Sequence, residues 1–181
     1  MNGNCHFVFG ATTSSMIALN IDKIANLINA SCDIGFLEVN STTITLFIMS
    51  GLIGSVFPDI DNPNSHFGQL SKPVSTVIGK ISKAFGKTAM RHRGIFHDPF
   101  VYLLGLILSF IFFPPLLGFF VGALSHIFLD MFNPMGVPCL LTRKGLHLGK
   151  IYAESKTAII FSYTMSTLVL ITGIICFYYL H

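Results

Sequence analysis

The sequence predicts an all-α, polytopic membrane helix bundle of about five helices, with a metal site gathered at its cytoplasmic face. Three observations predict it. Hydrophobic residues make up 52% of the 181-residue chain and charged residues only 10%, against about 25% charged in ordinary soluble domains. The mean hydropathy is +0.70, and a soluble surface of this size needs more charge than that to cover it. Finally, seven His and Asp residues cluster at the ends of the apolar segments on the side of the basic loops.

The apolar segments set the organisation. Ala158–Leu180 is long enough, at about 1.5 Å per residue, to cross a hydrocarbon core of about 30 Å. The run from Phe100 to Phe132 is interrupted by Pro114-Pro115, and two prolines inside a helix remove backbone bonds and clash. That run therefore reads as a helical hairpin, Pro99–Phe113 in one direction and Leu116–Phe132 back, its first limb short for a full crossing. Thr42–Phe57 is rich in Gly and Ser, which suits a helix packed closely inside a bundle. His6–Asn20 carries the small-residue stretch Gly10 to Ser15 and reads as the first helix. No basic region precedes it, so no cleavable signal peptide is expected. The whole of 1–181 reads as one membrane-embedded domain.

Ten of the eleven Lys and Arg residues lie between Lys72 and Lys156, in two loops, Asp59–Asp98 and Asn133–Thr157. The positive-inside rule places both loops in the cytoplasm. Five spans would then put the N-terminus in the cytoplasm and His181 outside. The four cysteines show no Cys-x-x-Cys pair, which argues against a zinc ribbon or a disulfide framework. No nucleic-acid partner is expected; membrane lipid is.

On this topology His6, Asp59, Asp61, His92, His97, His126 and Asp130 all fall at one face. His97 lies seventeen residues before Pro114 and Asp130 sixteen after it, so both sit about 25 Å from the turn. His126 and Asp130 are four apart and share a helix face. Ionisable groups inside an apolar helix are costly and point to function. Imidazole with carboxylate and no thiolate suits zinc, with manganese or iron as alternatives. Seven candidates are enough for one or two ions. Arg93, beside His92, can clamp an anion such as a phosphate, and His147 or Glu154 can shuttle a proton. Other readings of the same residues stay open. Asp59 and Asp61 suit a turn, His126 and Asp130 a structural hydrogen bond, His92 and His97 or the stretch Lys72–Arg93 anionic lipid headgroups, and Arg91 and Arg93 simple positive-inside topology.

The segments His6-Phe7-Val8-Phe9-Gly10, Pro58-Asp59-Ile60-Asp61 with Ser65 and Gly68, His92-Arg93-Gly94-Ile95-Phe96-His97, and His126-Ile127-Phe128-Leu129-Asp130 running into Asn133-Pro134-Met135-Gly136-Val137 resemble the YdjM-like family of inner-membrane proteins, described as membrane-bound metal-dependent hydrolases. The resemblance covers most of the chain in order. It implies metal binding by the matched His and Asp residues and residence in a bacterial inner membrane. This chain departs from the family where Phe96 and Asp98 replace small hydroxyl residues and in having no Trp. The order of His, Asp and His-x-x-x-Asp is also loosely similar to the all-helical zinc-dependent phospholipases C. The expected function is a hydrolase acting on a phosphorylated or lipid-linked substrate at the cytoplasmic leaflet. The alternative is a non-enzymatic membrane regulator, transporter or lipid-binding protein with a structural metal or none.

Overall fold

A computed structural model of the chain describes residues 3–32, 39–62, 64–65, 68–69, 72–85, 95–141 and 145–179. Its described α-helices are α1 (Gly3–Leu19), α2 (Ile21–Cys32), α3 (Ser41–Val56), α4 (Lys72–Phe85), α5 (Pro99–Phe112), α6 (Leu117–Met131) and α7 (Lys156–Tyr179). Short 3₁₀ turns at Phe57–Asp61, Ile95–His97 and Pro114–Leu116 adjoin α3, α5 and α6. Among the described residues there is no strand, only an antiparallel bridge between Val137 and Leu146.

Among the described residues, three stretches are long and apolar enough to cross a membrane: Ser41–Asp61, Pro114–Met131 and Lys156–Tyr179. Helix α5 has 14 residues, about 21 Å of rise, short of the hydrocarbon thickness. The exposed faces of these helices are apolar, as lipid requires: Leu103, Leu104, Ile107 and Ile111 on α5, and Ile160, Leu168 and Ile171 on α7. Two exposed hydroxyls of α7 are satisfied inside the helix, Thr167 on the Tyr163 carbonyl and Thr172 on the Leu168 carbonyl, which lowers the cost of turning them to lipid.

The bundle is organised around α3 and α6, which cross with their backbones in close approach. A methyl group added at Gly122 would collide with the Gly51 carbonyl, and one at Gly118 with the Phe47 carbonyl. Only hydrogen fits at these crossings, which is how small residues drive helix association where lipid is as apolar as Leu. Helix α1 packs against α3, α6 and α7. A buried cluster of Tyr102, Ala123, Ile127 and Val137 ties α5 and α6 to the segment after them. The Pro114-Pro115 turn forms as expected and is held to α3, where the Ser50 hydroxyl reaches the Pro115 carbonyl at 3.4 Å.

Two helices lie where the sequence reading placed connections. Helix α2 occupies part of the segment read as a link between the first two spans, and α4 part of the Asp59–Asp98 loop. Both are amphipathic, and a search for uninterrupted apolar runs passes over them. In α2, Lys23 Nζ donates to the carbonyls of Cys176 and Phe177, each at 2.7 Å. A cation there complements the exposed carbonyls and dipole at the end of α7.

Candidate metal centre

Four chain segments deliver the site. His6 comes from the first turns of α1. Asp59 and Asp61 come from the 3₁₀ turn that ends α3, where Pro58 starts the turn. His97 comes from the 3₁₀ turn before α5, and His126 and Asp130 from the last turns of α6. Each turn is braced. The Ser65 hydroxyl lies 2.8 Å from the Asp59 carbonyl and 2.9 Å from that of Asn62, and it accepts from the Gly68 N–H. The Tyr102 hydroxyl donates to the Phe96 carbonyl at 2.8 Å, holding the residue before His97.

Asp98 and Phe96 have structural work. The Asp98 side chain caps α5 by accepting from the Phe100 N–H at 2.8 Å, and it also accepts from the Leu140 N–H. The Phe96 ring packs edge-on against Phe57, with centroids 5.8 Å apart. A Ser or Thr at position 98 could cap the helix but has one side-chain oxygen where Asp98 uses two, and at position 96 it could not supply the ring contact.

The side chains converge closely. Asp130 Oδ1 lies 3.4 Å from His6 Nε2, while its Oδ2 lies 3.6 Å from His126 Nε2 and 3.7 Å from His97 Nε2. Asp59 Oδ1 lies 3.5 Å from His97 Nε2 and 3.8 Å from His126 Nε2. Asp61 Oδ1 lies 3.9 Å from the other nitrogen of His97. The His6 and His126 rings stack at 3.7 Å between centroids.

These separations decide what the cluster is suited to hold. Most are too long for direct N–H···O bonds, which fall near 2.9 Å. They match the edges of a coordination shell. Two ligands at about 2.1 Å from one ion, at the tetrahedral angle, lie about 3.4 Å apart. His126 supplies the second argument. Its Nδ1 lies 2.8 Å from the Ser55 carbonyl, and a carbonyl only accepts, so Nδ1 carries the proton there. In the neutral ring Nε2 is then a bare lone pair, buried and without a hydrogen-bond donor. It faces two carboxylate oxygens, an arrangement that is repulsive unless a cation sits between them or the ring itself takes a second proton. Fixing one ring nitrogen on a carbonyl to aim the other is how metal-binding imidazoles are held. The donors form two sets, His6–His126–Asp130 and Asp59–His97–His126. They fit a divalent ion in charge, atom type and spacing.

Of the residues the sequence singled out, His6, Asp59, Asp61, His97, His126 and Asp130 are brought together. His92 and Arg93 lie outside the described residues. His147 and Glu154 are exposed on the segment between α6 and α7 and belong to neither donor set. The sequence reading missed the Ser55 carbonyl, Tyr102 and Asp98. Tyr102 and Asp98 carried a signal, a polar group at the start of an apolar helix. The Ser55 contact is made by backbone, and no residue type announces it.

Fold and site define a class: a polytopic helical membrane protein with a buried His/Asp cluster capable of holding a metal. The sequence model of the family described as YdjM inner membrane protein matches residues 1–181, and the chain belongs to that family. It is 35% identical over 102 residues to the inner membrane protein YdjM of Escherichia coli (strain K12), an alignment covering 51% of this chain and 47% of that one. The inner membrane protein YdjM of Shigella flexneri aligns with the same identity and coverage. The chain thus spans about half the length of the curated relatives it matches. No solved structure matches it.

Proposed function

We propose that the protein is a membrane-bound, metal-dependent hydrolase that cleaves a phosphoester, on a lipid or lipid-linked substrate, at the cytoplasmic leaflet. The observation that carries this reading is the buried Nε2 of His126, aimed without a donor at Asp59 and Asp130. His97, His126, Asp59 and Asp130 would hold one ion, zinc by the nature of the donors, with manganese or iron as alternatives. The two oxygens of Asp130 face different partners, which gives room for a second ion beside His6. A divalent ion supplies two things to such a reaction, an acidified water and polarisation of the phosphoryl oxygen.

The chain's own residues do the rest. Burial of His6, His97, His126 and Asp130 excludes bulk water from the donors, while Asp59, its side chain 23% exposed, marks the open side. A catalytic site needs such an opening, whereas a structural site is closed on all sides. Arg93, next to His92 in sequence, is proposed to pair with the phosphate and steady its developing charge. The basic loops place this face in the cytoplasm by the positive-inside rule.

Metal analysis of the purified protein, combined with an anomalous X-ray map and a phosphodiester hydrolysis assay, tests the proposal. One or two ions on these residues with metal-dependent turnover is the expected result. A folded protein without metal sinks it. A second reading, a regulator or transporter with a structural ion, draws on the near-complete burial of His6, His126 and Asp130. It predicts metal without turnover.

A further inference from the structure

Helix α4 presents its chemistry in an unusual arrangement. It touches the bundle through the turns that carry Asp59, Asp61 and His97. Its point of contact is Ser75, 1% exposed, whose hydroxyl lies where Gly68 leaves room for it. Val74 and Val77 are 51% and 56% exposed and do not face the protein. Residues advance by about 100° each along a helix, so Lys72, Thr76 and Lys80 share one face, with Lys72 roughly opposite Val74 and Lys80 bordering Val77. All three are exposed.

An apolar face turned away from the protein, with lysines opposite it and at its border, is the pattern of a helix lying in the plane of a membrane surface. A second segment on the same side also exposes apolar side chains. Between α6 and α7, Met135, Leu140, Leu141, Leu148 and Tyr152 are exposed around the exposed Lys150, although the segment lies outside the candidate spans. Leu140 is tied to Asp98, the residue after His97. Both elements therefore adjoin the metal centre.

We infer that α4 lies in the headgroup boundary of the leaflet on the metal side, with Val74 and Val77 in the acyl layer and Lys72 and Lys80 on the phosphates of anionic phospholipids. Anionic lipid is the occupant because the polar face carries lysine and no acid. Each lysine near an anionic surface adds to the attraction. Because α4 is docked on the turns bearing Asp59, Asp61 and His97, phospholipid headgroups are held beside the centre whether or not an ion is bound.

The test uses the full chain with Cys32 and Cys176 replaced by Ser and a nitrobenzoxadiazole fluorophore on Val74→Cys or Thr76→Cys. Each protein is reconstituted in nanodiscs of phosphatidylcholine with phosphatidylglycerol. The label at 74 should lose most of its emission to doxyl lipids and little to aqueous iodide, and the label at 76 the reverse. Equal iodide quenching at both positions overturns the placement. Replacing Lys72 and Lys80 by Gln, or using phosphatidylcholine alone, should restore iodide quenching at 74. No change in either case overturns the role of anionic lipid. Saturating inorganic phosphate should leave the quenching unchanged; loss of the lipid dependence would instead mark a free-phosphate site. Metal content measured on the same samples reads the proposed hydrolase separately.

Discussion

The Ser55 carbonyl oxygen lies 2.8 Å from His126 Nδ1 and thereby aims Nε2 of that ring at Asp59 and Asp130. A main-chain atom of α3 sets the orientation of a side chain on α6. The geometry of the candidate metal centre consequently depends on how closely those two helices pack.

Gly122→Ala should therefore weaken metal binding without altering any donor. The added methyl would strike the Gly51 carbonyl and crowd the Ser55 N–H at 2.8 Å, forcing α3 and α6 apart. Overpacking of this kind costs about 1–3 kcal/mol, and loss of an orienting partner costs about 10–100-fold in metal affinity. A thermal melt and a metal titration in detergent read the two effects. Wild-type affinity in a destabilised protein would break the proposed link between them.

Asp130→Ala should abolish metal retention while leaving the helices in place. It removes both carboxylate oxygens that face His6, His97 and His126, and no other side chain in the donor sets faces all three imidazoles. The expected outcome is a metal content near zero with an unchanged helical circular dichroism spectrum. Full occupancy in the variant would show that the ion, if present, sits elsewhere.

Chelation should lower the thermal midpoint, and added zinc should restore it. An ion that binds only the folded state stabilises by about 2.7 kcal/mol when free ion exceeds its dissociation constant a hundredfold. Without the ion, the buried carboxylates face the imidazoles with only ring protonation to offset their charge. Differential scanning fluorimetry across a zinc series measures this, and a midpoint indifferent to both chelator and zinc argues against a metal-holding role.

Asp98→Ala should destabilise the fold by about 2 kcal/mol, since it leaves the Phe100 and Leu140 N–H groups unpaired. Asp98→Asn should recover part of that, because its amide keeps one accepting oxygen. Denaturation in detergent gives the comparison. Equal stability of wild type and Asp98→Ala would remove the capping role.

Much of the architecture was legible in the residues. The helices read as His6–Asn20, Thr42–Phe57 and Ala158–Leu180 appear as Gly3–Leu19, Ser41–Val56 and Lys156–Tyr179. The proline hairpin, with its limbs on either side of Pro114–Leu116, brings His97 to within 3.7 Å of Asp130. Apolar length and proline chemistry act locally, so they survive as patterns in a one-dimensional string. The helices α2 and α4 did not stand out, because a half-apolar helix at an interface has neither the length nor the hydropathy of a span. Their 3.6-residue spacing of Ile21, Ile24 and Ala25, or of Val74, Val77 and Ile78, was the available signal.

By itself the sequence determined a membrane protein with its ionisable groups at one depth, since hydropathy and helical rise depend only on residue order. Only the tertiary structure decided which of those groups meet. His6 and His126 stack, Asp130 turns an oxygen to each side, and His147 and Glu154 remain at the surface. The physical reason is that contact between helices is set by how near their backbones come. At the crossing of α3 and α6 that distance is set by glycines facing carbonyl oxygens, and the carbonyl that orients His126 belongs to the peptide backbone, which is the same whatever the residue.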